Sequence, residues 1–227
     1  MHALAMEESM AELRSWDVLL IGGASGVGKT HVSYPLAHHF GTGLTEIDDF
    51  QVILERMTTP AQQPVIHFFR TDPEAFFRLD EAGKLAHAID YATVMAEPLE
   101  YVIANHLDEG SAVVLEGDFL LPALAAQALY DGVPASGRVR TLIVYEEDEG
   151  QIDRNYLARE GELQPVRARA SWRHSEWLRE EASRLGIPAL PARPWETVVA
   201  RAIALLDADP GTTSETAHPD RPGTVIP

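Results

Sequence analysis

Eight consecutive residues carry the clearest chemistry in this chain. Gly23-Ala24-Ser25-Gly26-Val27-Gly28-Lys29-Thr30 fits G-x-x-x-x-G-K-[ST] at every fixed position. Glycines let the backbone turn back so that successive N–H groups converge on one concave nest. A helix start placed there adds its partial positive charge to the same point, which suits a phosphate. The Lys29 ammonium then reaches the outer phosphates of a nucleotide, and the Thr30 hydroxyl is a ligand for Mg²⁺. The expected cofactors are ATP and Mg²⁺. Only Lys29 and Lys84 of the 18 basic residues are lysine, so a rare residue stands at the position the motif demands.

Three further groups have types and positions that suit the same chemistry. Asp48 and Asp49 follow a short apolar run, and a carboxylate there can accept a proton from an acceptor hydroxyl or orient a Mg²⁺-bound water. An Asp in that place also makes a good helix start, so one of the pair can cap while the other works. Glu116, directly after Ala112-Val113-Val114-Leu115, stands where an acid would hold Mg²⁺ through water, and Asp118 can share that role or face the acceptor. Arg154 and Arg159 follow the fourth strand, where a closing lid would bring positive charge over a transferring phosphoryl group. The remaining arginines of 151–186 read as a solvated helix face paired with glutamates.

The elements that must position these groups follow from the apolar pattern. Trp16–Ile21 is apolar without helical periodicity, as in a strand buried on both faces of a parallel sheet. A helix runs from the glycine loop to Phe40, with a kink expected at Pro35. Further strands are expected at Leu44–Ile47, Ala112–Leu115, Val139–Tyr145 and Ile187–Leu190. Helices are expected over 48–57, 73–79, 82–108, 122–130, 147–160, 165–185 and 196–206, with 58–72 as a loop or lid element. Alternation of strand and helix gives an α/β, three-layer fold with a parallel sheet of about five strands. The organisation is an N-terminal extension (1–15), a main domain (16–206) and a disordered tail (207–227). The main domain holds a helical insertion (57–110) and a lid region (147–186).

Charge and composition narrow the partners. The 227 residues carry a formal net charge of −17, which repels long nucleic acids and anionic membranes. Residues 1–150 hold 8 basic and 24 acidic side chains, whereas 151–186 hold 7 and 6, so the arginine-rich stretch stands apart. There is no cysteine, which excludes disulfides, thiolate metal sites and a cysteine nucleophile. No apolar run approaches the roughly 20 residues of a membrane-spanning helix. A soluble, cytoplasmic protein is expected.

The missing signatures narrow the class. Asn105-His106-Leu107-Asp108 lacks the lysine of the guanine-reading N-K-x-D, and L-S-G-G-Q is absent. The phosphate loop, Asp48-Asp49-Phe50, Leu115-Glu116-Gly117 and the arginines after the fourth strand together resemble the P-loop small-molecule kinases. That group includes uridine kinases, chloramphenicol phosphotransferase and 2-phosphoglycerate kinase-like proteins. The resemblance implies that Asp48 is the acceptor-activating acid, that Glu116 is the acid of the E-G after the third strand, and that Arg154 and Arg159 form the lid; with Thr30, one acid among Glu116, Asp48 and Asp49 would organise Mg²⁺. It also implies that Arg193, in Pro191-Ala192-Arg193-Pro194, belongs to the loop packing on adenine. The stretch around His67, Phe68 and Arg70 does not align with uridine kinases; these residues either line an acceptor pocket or, for the phenylalanines, belong to the core. The expected activity is ATP-dependent phosphorylation of a hydroxyl on a small metabolite or antibiotic-like compound. The alternative is a nucleotide-binding regulatory protein with slow or absent hydrolysis.

Overall fold

A computed structural model of the protein describes residues 14–207. At its centre is a five-stranded parallel sheet in the order β2-β3-β1-β6-β7. The strands are β1 (Val18–Gly22), β2 (Gly43–Glu46), β3 (Val113–Gly117), β6 (Val139–Tyr145) and β7 (Ala189–Pro191). Every residue of β1 and β3 is buried, because helices cover both faces of the sheet. The two-residue period of β1 divides its side chains cleanly. Leu19 and Ile21 join a core with Val32, Leu36 and Phe40 on one face, and Val18 and Leu20 join one with Met95, Leu99 and Ile103 on the other.

The first core lies under α1 (Thr30–Phe40), α7 (Glu149–Glu160) and α9 (Trp195–Asp207), and the second under α2 (Ile47–Met57) and α5 (Glu81–Glu109). The α8 helix (Pro165–Arg184) crosses from the sheet towards α5, and Arg173 meets Glu81 at 3.2 Å. This is the three-layer α/β fold with the five-stranded parallel sheet that the pattern predicts.

Local differences from the sequence reading have physical reasons. The stretch 58–72 contains α3 (Pro64–Thr71), not only a loop, and α4 (Pro73–Arg78) follows it directly. Pro64 and Pro73 open these helices in the first turn, where their missing N–H groups cost nothing. The helix expected over 122–130 stops after α6 (Pro122–Ala125), and an antiparallel hairpin of β4 (Leu129–Tyr130) and β5 (Val133–Pro134) follows. Asp131-Gly132, both at positive φ, is the turn pair that such a hairpin requires. The α1 helix continues unbroken through Pro35, which sits on its exposed side. The expected tail from 208 and the extension before residue 14 lie outside the described residues. Among the described residues no helix is long and apolar enough to cross a membrane.

Candidate active site

The phosphate loop joins β1 to α1 at the carboxyl end of the sheet, the end where open α/β sheets bind ligands. Its backbone is tightly packed from outside. At Gly28 φ is +100°, and a β-carbon there would fall inside the indole of Trp195. Asn155 on α7 donates to the Gly26 carbonyl at 2.8 Å, which ties the loop to the helix beside it. Trp195 also stacks near His31, with ring centroids 4.8 Å apart. Gly28→Ala therefore combines backbone strain with a steric overlap. It should destabilise the protein by about 1–3 kcal/mol and lower nucleotide affinity, as read by denaturant titration and calorimetry. Adding Trp195→Ala should restore only part of the stability, because it leaves the backbone strain in place.

Lys29 is buried, and its ammonium donates to the Ala24 carbonyl at 3.2 Å and to the Asp118 carboxylate. Glu116 Oε1 lies 3.7 Å from the same nitrogen, and Ser33 donates to Glu116 Oε2 at 3.4 Å. Burial opposes the charge on Lys29, but Asp118 and Glu116 outweigh it and hold the ammonium above its ordinary value. The Glu116 carboxyl is pushed up by burial and by Asp118, against the pull of Lys29. The Asp48 carboxyl is likewise pushed up by the protein around it and by Asp118.

The approach of α2 to β3 explains why Asp48 feels this cluster. A β-carbon at Gly117 would overlap Ile47, so only glycine lets the start of α2 pack so closely on the strand end. Asp48 and Asp49 occupy the first turn of α2, where both complement the helix dipole. Asp48 faces the field of Lys29 and Asp118. Asp49 acts on Tyr34 instead, and both carboxylates are exposed.

Several oxygen donors around one ammonium suit a hard divalent cation. Mg²⁺ is typically held by one or two carboxylates, waters and the phosphates themselves, not by an all-protein cage. No group of three or more His, Asp or Glu able to hold a metal occurs among the described residues. Thr30, at the exposed start of α1, Glu116 and Asp48 are the residues whose chemistry fits such an ion.

The arginines are distributed differently from the sequence expectation. Arg154 forms an exposed pair with Asp148 at 2.6 Å, and Arg159 pairs with Glu160 at 2.6 Å. Arg167, read from sequence as solvated helix face, is the one hydrogen-bonded to the phosphate loop. Its guanidinium donates to Ser25 Oγ at 3.5 Å, lies 4.3 Å from the Tyr156 ring centroid and pairs with Glu160. Arg193 donates to buried Glu146 at 3.1 Å and stacks over Trp195 at 4.9 Å, next to the loop at Gly28.

A cavity of about 950 Å³ opens beside the loop, walled by α2, α3, α4, α5 and α8 and reached by Ser25 and Asp118. Of the aromatic and charged candidates in 67–70, Phe69 lines it, while His67 is buried and hydrogen-bonded to Thr58 at 3.0 Å. Arg70 bridges to Glu55 at 2.9 Å. Tyr91 on α5 and His174 on α8 also line the cavity, and neither was singled out from sequence. Both are only 6% exposed, and the Tyr91 hydroxyl and His174 Nε2 have no hydrogen-bond partner.

Burial pushes the His174 imidazole down to about 4. Its folded pKa lies below the unfolded value near 6.5, so acid protonates the unfolded chain first. Its contribution is intact above pH 6.5 and is lost as pH falls towards 4, by about 3 kcal/mol. Urea titrations from pH 7 to 4 should show wild type losing that much more stability than His174→Gln. Taking the difference removes the opposite trend of Asp48 and Glu116, whose raised values favour the folded state in acid.

The sheet order, the glycine loop at the end of β1 and the covering helices make a three-layer α/β fold with its phosphate loop at the carboxyl end of the sheet. A sugar kinase structure from Janibacter sp. HTCC2649 superposes with a TM-score of 0.51 at 18% identity, covering 86% of this chain and 97% of that one. A gluconokinase structure from Sinorhizobium meliloti 1021 gives a TM-score of 0.47 at 18% identity over 85% and 93% of the two chains. In sequence, 2-phosphoglycerate kinase from Methanocaldococcus jannaschii is 28% identical over 109 residues, which is 47% of this chain. The match takes in 35% of that relative, so it spans about a third of its length. No family model matches the chain.

Proposed function

We propose that the protein is an ATP- and Mg²⁺-dependent kinase that phosphorylates a hydroxyl of a small molecule. The observation that carries this reading is that one cavity of acceptor size shares Ser25 and Asp118 with the phosphate loop and its acidic cluster. A site for hydrolysis alone has no use for such a room beside the phosphates. The sequence likeness to 2-phosphoglycerate kinase and the fold shared with a sugar kinase support the same reaction class.

In this reading the loop amides and Lys29 hold the phosphates, and Thr30 and Glu116 would hold Mg²⁺, leaving Asp48 free as the base. The ion supplies neutralisation of charge on the phosphate oxygens. Asp48, with its raised carboxyl, accepts the proton of the acceptor hydroxyl as that oxygen forms its bond to the γ-phosphorus, the bond from that phosphorus to the bridging oxygen breaks and ADP leaves. Arg167, already against Ser25, covers the transferred group from α8, with Arg154 and Arg159 on α7 behind it. Arg193 and Trp195, packed beside Gly28, would hold the adenine. The acceptor is the expected partner, and the net charge of −17 disfavours long nucleic acids and anionic membranes.

The test is ADP formation by the full chain with Mg²⁺ and ATP across a panel of alcohols, with the phosphorylated product identified by mass. Acceptor-stimulated ADP formation is the expected result. Tight ATP binding with no stimulation by any alcohol would overturn the kinase reading in favour of a nucleotide-controlled binding protein.

A further inference from the structure

The cavity wall is unlike a surface for polyols. Aromatic rings follow one another from its mouth to the phosphate loop. Exposed Phe77 meets Phe76 at 5.8 Å between centroids, Phe76 meets His87 at 5.4 Å, His87 meets Tyr91 at 6.0 Å, and Tyr91 stacks on Phe119 at 4.3 Å. Phe119 is the neighbour of Asp118, so this run ends beside Lys29.

The charged side chains on the wall are already engaged. Glu55 is held by Arg70, Asp118 by Lys29, and Arg167 by Glu160, while Lys84 donates to the Leu79 carbonyl at 2.8 Å. Two fully buried polar atoms on the wall have no hydrogen-bond partner, the Tyr91 hydroxyl on α5 and His174 Nε2 on α8. A buried polar atom without a partner is a cost that folded proteins seldom keep, and these two stand on different helices around one cavity.

A sugar or sugar acid has a hydroxyl on nearly every carbon, and each one stripped of water needs a partner. This wall offers few. A flat ring instead gains from edge and face contacts with Phe76, His87 and Tyr91, with two defined points for its polar substituents. We propose that the acceptor is an aryl alcohol, its ring held by this aromatic run and its polar substituents hydrogen-bonded by Tyr91 and His174. The inference rests on the kinase reading for the word acceptor, but the ring-binding cavity can be tested without nucleotide. Tyr91 and His174 are specificity-determining residues in this account.

The full chain is titrated calorimetrically, without ATP, with 1-phenylethane-1,2-diol, ethylbenzene, D-gluconate and 2-phosphoglycerate. The diol should bind at least about tenfold more tightly than gluconate or 2-phosphoglycerate. Tyr91→Phe keeps the ring and loses the hydroxyl, and His174→Leu loses the imidazole nitrogens. Each should weaken the diol roughly five- to tenfold and leave ethylbenzene within about twofold, a split that general damage to the wall would not produce. If His174→Leu does not fold, Tyr91→Phe alone decides the matter.

Tighter binding of gluconate or 2-phosphoglycerate, no binding of either aryl compound, or equal loss for both aryl compounds would overturn the proposal. Aryl binding with no phosphate transfer to any alcohol would sink the kinase reading alone. Transfer to a polyol but not to an aryl alcohol would sink this inference alone.

Discussion

Lys29→Met will reduce ATP-dependent phosphate transfer by roughly a thousandfold or more, because it removes the buried ammonium that the phosphate loop holds against Glu116 and Asp118. The same substitution will lower stability at pH 7.5, by about 3 kcal/mol, since Glu116 and Asp118 lose their shared counter-charge. The two effects separate by pH. Without Lys29 the buried Glu116 carboxyl, already pushed up by burial, rises further above its unfolded value. A carboxyl raised in the folded state favours folding at low pH and loses that contribution as pH rises through the folded value. The stability gap between wild type and Lys29→Met should therefore be widest near neutrality and shrink towards pH 5. Combining Lys29→Met with Glu116→Gln and Asp118→Asn should recover much of the stability and none of the transfer. Denaturant titration at several pH values, with turnover measured alongside, checks both statements. Transfer within tenfold of wild type in Lys29→Met would remove the central role given to that residue.

The parts of this site that were legible in the sequence are those fixed by local rules. The glycine loop matches its motif at every fixed position, Glu116 closes the plain apolar run of β3, and Asp48 opens α2 just past β2. The sheet could be anticipated for the same reason, since a strand buried on both faces shows as an unbroken apolar run. The parts that escaped depend on tertiary neighbours. Arg167 lies on a helix with many other arginines, and only the crossing of α8 over the loop distinguishes it from Arg173 or Arg184. Tyr91 and His174 are single polar residues in long amphipathic helices, a pattern that usually means an ordinary core contact. Their significance comes from a cavity assembled by five helices. The hairpin after α6 was readable, because Asp131-Gly132 is a turn pair, but two-residue strands leave no alternation to see. In α3, two prolines within a polar stretch suggested a loop, whereas one of them opens the helix.

Asp48→Asn will cost roughly a hundredfold to ten-thousandfold in turnover, while Asp49→Asn will stay within a few-fold of wild type. Sequence leaves the two equivalent, since both lie in the first turn after β2. Both carboxylates are exposed, and their charged neighbours separate them: Asp48 lies in the field of Lys29 and Asp118, whereas Asp49 acts on Tyr34. Burial and the charge of Asp118 push the Asp48 carboxyl up, which makes it a better proton acceptor than an ordinary surface carboxylate. A raised base also sets the sign of the pH dependence. Turnover should fall on the acid side as Asp48 becomes protonated, with its midpoint above the usual value of 3.8 for Asp. Asparagine keeps the shape and the helix-start position of Asp48, so stability should change little compared with the loss of rate. Measured kcat at saturating ATP, for both variants and across pH, decides the assignment. Equal losses in Asp48→Asn and Asp49→Asn, or an acid limb unchanged in Asp48→Asn, would mean that the proton leaves by another route and that the raised carboxyl serves the cation alone.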